Sequence, residues 1–278
     1  MTNFIVSPQW LSEQLNNPQI IIADCRFLLS NPEAGYQEYL HTHLPGAYYL
    51  SLDQDLSAPV KEHGGRHPLP DPELLAAKLE NMGIVSGETL VVAYDDSRFA
   101  FAARLWWLLR YLGHTKVALL DGGFSAWKNQ GYPTTDEIPA PKGGKFLPQP
   151  QPDWVVDIET VKTRKELGNV VLVDSRESDR FLGKQEPIDP IAGHIPGAVN
   201  SPWKQVSNDL GFLLPTPTQK QLWVEVEEAE EIIVYCGSGV TACVNLLSLE
   251  IAGLSEKVKL YPGGWSDWCS YLTRSTVE

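Results

Sequence analysis

Short apolar runs alternate with amphipathic stretches along the whole chain. Residues 20–23 (Ile-Ile-Ile-Ala), 90–94 (Leu-Val-Val-Ala-Tyr), 117–120 (Val-Ala-Leu-Leu), 170–173 (Val-Val-Leu-Val) and 232–235 (Ile-Ile-Val-Tyr) are aliphatic and rich in β-branched side chains. Such runs predict buried strands, and strands apolar on both sides belong to parallel sheets covered on both faces. Helices are expected from Pro8, with Ser7 as cap, over 71–81 closed by Gly83, over 100–112 ended by Gly113, and over 244–252 stopped by Gly253. Proline and glycine crowd residues 139–152, which read as a linker between an N-terminal domain, 1–138, and a C-terminal domain, 153–278. The expected fold class is α/β, two tandem domains, each a mostly parallel sheet with helices on both faces.

The two halves repeat one another. Asp24-Cys-Arg26 at the end of the first strand recurs 150 residues later as Asp174-Ser-Arg176. His43-Leu-Pro-Gly-Ala47 recurs as His194-Ile-Pro-Gly-Ala198, and the Gly-Gly-Phe-Ser-Ala-Trp that ends at Trp127 recurs as the Gly-Gly-Trp-Ser-Asp-Trp that ends at Trp268. Three markers in the same order identify a duplicated domain.

The chemistry concentrates where the copies differ. Residues 236–241 read Cys-Gly-Ser-Gly-Val-Thr, directly between the 232–235 strand and the helix that follows. Glycines at 237 and 239 let successive N–H groups turn inward, and a nest of amides at a helix N-terminus favours an anion without any charged side chain. A thiolate or persulfide on Cys236 would sit at its centre. A buried cysteine at a strand end needs no Gly-x-Gly loop behind it, so Cys236 is read as a nucleophile. At the repeat offset of 141, Cys236 corresponds to Asp95 in Tyr94-Asp-Asp-Ser97. One copy is therefore expected to be catalytic and the other not.

Composition narrows the partners. The chain has 278 residues, 43% hydrophobic and 21% charged, with a formal charge of −13. That balance disfavours nucleic acid and polyanionic membrane surfaces. The N-terminus lacks the pattern of a signal peptide and no apolar run is of spanning length, so the expected location is cytoplasmic. None of the four cysteines forms Cys-x-x-Cys, so no zinc knuckle or redox pair is expected, and Cys25, Cys243 and Cys269 are read as structural. No metal cluster and no nucleotide-binding loop is visible, and no cofactor is expected.

Both Asp-x-Arg strand ends, both His-x-Pro-Gly-Ala motifs, both Gly-Gly turns and the Cys236 loop together resemble the two-domain rhodanese-type sulfurtransferases over nearly the whole length. The loop Cys-Gly-Ser-Gly-Val-Thr is similar to that of the 3-mercaptopyruvate sulfurtransferases. Thiosulfate-preferring members carry Arg and Lys after the cysteine. The resemblance implies a sulfurtransferase of class EC 2.8.1, working through a Cys236 persulfide by covalent, ping-pong chemistry. The donor is a small molecule, and the acceptor a thiol such as reduced thioredoxin, or cyanide. It further implies a relay of Asp53, His67 and Ser238, with Arg180 binding the donor's oxyanion and the loop residues Gly237, Gly239, Val240 and Thr241 lining the site. Arg176, repeated as Arg26 in the copy without a cysteine, is read as structural.

One position departs from the family pattern. Asp189, in Glu186-Pro-Ile-Asp189, stands where a second substrate arginine is expected. On charge alone an aspartate repels an anionic donor, so Asp189→Arg is expected to improve mercaptopyruvate use. Arg66 would compensate if it points inward. Three other readings are weighed. Thiosulfate as donor keeps the same nucleophile, but neutral Ser238 argues against it. A cysteine phosphatase needs an arginine six residues after the nucleophile, where residue 242 is Ala. A non-catalytic binding module does not require an intact Cys236 loop.

Overall fold

The computed structural model describes residues 4–272. Two compact units form, and neither is a single stretch of sequence. The first comprises Met1–Ala58, Pro70–Gln151 and Ser207–Leu213; the second comprises Pro59–Leu69, Pro152–Val206 and Leu214–Glu278.

In the first unit the elements run β1 (Ile5–Val6), α1 (Pro8–Glu13), β2 (Ile20–Asp24), α2 (Pro32–His41), β3 (Tyr48–Tyr49), α3 (Pro72–Asn81), β4 (Leu90–Tyr94), α4 (Ala102–Tyr111), β5 (Val117–Leu120) and α5 (Gly123–Asn129). The strands form one parallel sheet, ordered β1-β5-β4-β2-β3. Local signals set the helix starts. The Ser7 hydroxyl accepts from Trp10 N–H, and the Asp71 carboxylate accepts from Glu73 and Leu74 N–H, each just before a proline in the first turn. Val6, Leu11, Ile22, Val92, Leu120 and Trp127 belong to one buried cluster. The 142–149 part of the expected linker is stitched to this unit instead of hanging free. Lys142 N–H donates to Asn81 O, Lys145 N–H to Ile84 O and Gln149 N–H to Leu112 O, while Phe146 is buried.

The second unit runs α6 (Ile158–Arg164), β6 (Val170–Asp174), α7 (Ser178–Phe181), β7 (Val199–Asn200), α8 (Thr216–Gln221), β8 (Glu231–Tyr235), α9 (Ala242–Ala252), β9 (Val258–Leu260) and α10 (Gly264–Leu272). Its parallel sheet is ordered β7-β6-β8-β9. Val155 bridges Leu260 in parallel, as β1 does β5 in the first unit. Helix α9 is buried from Ala242 to Leu249, and the polar side chains of that stretch find acceptors, Asn245 donating to Ser175 and Ser248 donating to Gln219. Gly253 ends it in the left-handed conformation, φ 88°.

The shared Asp-x-Arg motif has one structural explanation in both units. Register pairs Asp24 with Tyr94 and Asp174 with Tyr235, so carboxylate and ring leave the sheet side by side. The Arg26 guanidinium donates to Asp24 at 2.6–3.1 Å and to Thr42 O at 2.7 Å, and Tyr94 Oη donates to Asp24 at 2.6 Å. Arg176 repeats this with Asp174 and Gly193 O. The histidines of His-x-Pro-Gly-Ala are likewise structural, with Nδ1 of His43 2.6 Å from Tyr39 O and Nδ1 of His194 2.7 Å from Phe181 O.

Candidate active site

Cys236 follows β8 directly and lies at the carboxyl end of its strand, where parallel α/β sheets gather their chemistry. It is buried, with 2% of its surface exposed. The loop from Cys236 to Thr241 leads into α9 and depends on its glycines. Gly239 has φ +72°, and a Cβ there would stand 2.4 Å from Pro262 O. The start of α10 turns the loop carbonyls away. Trp265 N–H donates to Cys236 O and Ser266 N–H to Gly237 O, both at 2.8 Å. Gly264, φ +60°, permits that approach, because a Cβ there would lie 2.5 Å from Cys236 O.

The duplicate loop in the first unit shows what such a backbone holds. At Asp95, the counterpart of Cys236, the carboxylate accepts from the amides of Ser97 (2.8 Å), Phe99 (3.1 Å), Phe101 (2.8 Å) and Ala102 (2.9 Å). Arg98 and Phe99 take positive φ, 57° and 71°, to close that ring. Phe124 N–H donates to Asp95 O as Trp265 does to Cys236 O. The loop type is thus an anion nest, and in the first unit its anion is built in. The repeat makes Ser238, Val240 and Ala242 the counterparts of Ser97, Phe99 and Phe101.

Residues 59–69 belong to the second unit, and they bring two side chains to the loop. Nδ1 of His67 lies 2.7 Å from Ser238 Oγ, both residues being buried. This segment is fastened to α10. Gly64 N–H donates to Asp267 Oδ1 at 2.7 Å, His63 Nδ1 is 2.7 Å from Ser270 Oγ, and the His63 ring stacks on Tyr271 at 3.9 Å. Gly65, φ +80°, passes so close to Gly263 that a Cβ would fall 2.4 Å from its carbonyl oxygen. Asp53, the third expected relay member, lies in the first unit, exposed, after β3.

Beside the loop, six charges of alternating sign form a ladder. Asp174 holds Arg176 at 2.6 Å; Arg176 reaches Glu186 at 3.2 Å; Glu186 holds Arg180 at 2.6 Å; Arg180 reaches Asp189 at 3.1 Å; and Asp189 pairs with Arg66. The two outer guanidiniums stand over Gly237. Its absent Cβ would lie 2.9 Å from Arg66 Nη2 and 3.6 Å from both Nη atoms of Arg180. Burial works against the Glu186 carboxylate, yet the Arg180 hydrogen bond and the Asp189 and Ile188 amides hold its pKa below the ordinary range. Asp189 goes the other way. Burial raises its pKa, opposed by Arg66 and Arg180 and reinforced by Glu186. Sequence reasoning placed Arg180 and noticed Asp189 and Arg66, but did not find Glu186. Its signal was the proximity of four acids and two arginines between 176 and 189.

The other cysteines are set against nucleophilic work. Burial and nearby Asp24 push the Cys25 thiol well up, and burial pushes Cys269 to about 11. The Cys243 thiol faces Gly239 O at 3.4 Å inside α9. Among the described residues no group of three His, Cys, Asp or Glu side chains is arranged to hold a metal. No helix there is long and apolar enough to cross a membrane.

Two parallel α/β units, one with Cys236 where the other holds Asp95 in a ring of amides, define a tandem, duplicated α/β protein with a single strand-end thiol at that loop. The rhodanese-like domain family matches residues 7–130 and 157–271, and the chain belongs to the rhodanese family of sulfurtransferases. A Pseudomonas aeruginosa protein named "Probable 3-mercaptopyruvate sulfurtransferase" is 42% identical over 269 residues, covering 95% of this chain and 94% of that one. A Mycobacterium tuberculosis protein with the provisional name thiosulfate sulfurtransferase is 37% identical, over 92% and 89% of the two chains. The crystal structure of the 3-mercaptopyruvate sulfurtransferase of Escherichia coli superposes with a TM-score of 0.82 at 32% identity, over 95% of this chain and all of that one.

Proposed function

We propose that the enzyme moves a sulfur atom from 3-mercaptopyruvate to a thiol acceptor, such as reduced thioredoxin, or to cyanide, through a persulfide on Cys236. The Cys236 thiolate attacks the donor sulfur. A sulfur–sulfur bond forms, the carbon–sulfur bond breaks, and its electron pair leaves with the carbon as the enolate of pyruvate. The proton carried in on the donor thiol ends on that carbon, giving pyruvate and the Cys236 persulfide anion. In the second half the acceptor's thiolate attacks the outer sulfur and the Cys236 thiolate returns.

The observation that carries this reading is the hydrogen bond between His67 and Ser238, two residues after the nucleophile. A carbon leaving group must be protonated, and an imidazole–hydroxyl pair is suited to passing that proton. Asp53 is assigned to the relay by the family resemblance. Arg180 is assigned to the donor's carboxylate, and the loop residues Gly237, Gly239, Val240 and Thr241 to the transferred sulfur.

Thiosulfate is the second reading. Its favouring observation is the pair of guanidiniums, Arg66 and Arg180, beside Gly237. Its sulfite leaves as a stable anion and needs no proton. Steady-state rates with both donors, together with the mass of intact protein after donor treatment without reductant, test the proposal. A gain of one sulfur that disappears in Cys236→Ser is expected with mercaptopyruvate. Higher kcat/KM with thiosulfate would reverse the donor assignment, and no sulfur gain with either donor would defeat the mechanism.

A further inference from the structure

We infer that Arg66 is a primary anchor for the oxyanion of the sulfur donor, and that Asp189 is the positioning residue that aims it. This rests on the Cys236 sulfur-transfer reading and extends it to recognition.

The ladder Asp174–Arg176–Glu186–Arg180–Asp189–Arg66 contains three positive and three negative groups. Its inner members each have an opposite charge on both sides. It starts in the core, where the Asp174 and Arg176 side chains are 0% and 1% exposed, and ends at Arg66, 27% exposed. Among the described residues the terminal guanidinium is paired with one carboxylate, Asp189, and its Nη2 stands over Gly237, next to the nucleophile. An arriving oxyanion would extend the alternation by one place, with Arg180 as its second donor. A guanidinium offers five N–H groups in a planar fork, so Arg66 can keep Asp189 and still grip a carboxylate or sulfonate. The reach of Arg66 is pre-arranged. Gly64 and Gly65 lock its segment to α10, and Asp189 accepts from both Arg66 and Arg180, so one carboxylate fixes the two guanidiniums around the loop. Glycine at 237 leaves room for this, since a Cβ there would lie 2.9 Å from Arg66 Nη2 and push the guanidinium from its place.

Asp189 therefore does not act as a free negative charge at the mouth. Its charge is engaged by two arginines, and its removal should scatter them. This opposes the expectation from simple repulsion, under which losing the aspartate helps donor binding.

The experiment is steady-state kinetics with 3-mercaptopyruvate and, separately, thiosulfate, on wild type, Arg66→Ala, Arg66→Lys, Asp189→Asn and Asp189→Arg. Thermal unfolding of each variant is run in parallel. Losing one charge-assisted contact to the donor should raise KM about 10- to 100-fold while kcat at saturation changes little. Arg66→Lys should recover part of the loss, and the increase of KM with salt should be shallower in Arg66→Ala than in wild type. Asp189→Asn and Asp189→Arg should both raise KM. A fall in KM for either Asp189 variant, or an unchanged KM in folded Arg66→Ala, overturns the inference while leaving sulfur transfer at Cys236 intact. Failure of wild type to gain sulfur on Cys236 from either donor would instead strike the underlying reading. If only one donor responds to Arg66→Ala, that donor's oxyanion is the one Arg66 holds.

Discussion

His67 Nδ1 and Ser238 Oγ lie 2.7 Å apart, though 171 residues separate them in the chain. Both are buried, so the pair is held from solvent and in one geometry. A pair that carries a proton matters only when the leaving group needs one. Ser238→Ala and His67→Gln are therefore expected to lower kcat with 3-mercaptopyruvate by about 100-fold or more, the usual scale of general acid–base assistance. With thiosulfate the same variants should lose less than about 10-fold. Parallel kinetics with the two donors check this, and equal losses would assign the pair a structural role.

Asp95 fills the nest of the first unit with its own carboxylate, each oxygen accepting two amides. Asparagine cannot reproduce that, since its NH2 group would face two N–H donors. Asp95→Asn should destabilise the protein by about 1–3 kcal/mol at neutral pH, measured by urea unfolding. Burial raises the Asp95 pKa despite the four amides. The folded state therefore binds this proton more tightly than the unfolded chain. The resulting stabilisation is present at low pH and is lost as pH rises through the raised pKa. The Asp95→Asn variant should lack that component of the pH profile.

Two glycines at equivalent places separate loop geometry from stability. A Cβ at Gly264 would meet Cys236 O at 2.5 Å, and one at Gly123 would meet Asp95 O at 2.2 Å, both at φ +60°. Each alanine variant should cost about 1–3 kcal/mol for the left-handed backbone, with the close approach adding to it. Only Gly264→Ala should also abolish persulfide formation, because only it displaces the Cys236 loop. Unfolding curves and intact-protein mass after donor treatment distinguish the two.

Acid should loosen the arginine pair from one end. Asp189 has a raised pKa and Glu186 a lowered one, so Asp189 loses its charge first as pH falls. The groups facing Asp189 are Arg66, Arg180, Glu186, the Ser266 hydroxyl and the Cys269 thiol. Once neutral, it no longer holds the guanidiniums. The KM for an anionic donor is expected to climb as pH falls, beginning above the ordinary carboxylate range. That limb should be missing from the Asp189→Asn profile.

Much of the fold was legible from local pattern. Aliphatic runs marked β2, β4, β5, β6 and β8, because a strand covered on both faces has to be apolar throughout. Ser7 and Asp71 marked helix starts, since capping is decided within four residues. Two-residue strands such as β1, β3 and β7 left no trace, because they are too short to show a period. Helix α4 begins at Ala102, two residues later than the apolar run implied. The run continues into Ala100 and Phe101, but the Phe101 amide serves the Asp95 carboxylate. The site was legible as far as Cys236 and its loop. Its electrostatics were not, because the sign of Asp189's effect depends on which cations stand beside it.

The order of residues alone determined that the domain is duplicated, that each copy is a parallel α/β unit, and that the position of Cys236 is a cysteine in one copy and Asp95 in the other. These properties are written in contiguous stretches, where periodicity, glycine and repetition act over a few residues. Only the tertiary structure decided that residues 59–69 join the second unit, that His67 meets Ser238, and that Asp189 binds Arg66 across 123 residues of chain. Such pairings arise when folding brings distant charges and donors into one desolvated place, and there each group's effect is set by its neighbours in space.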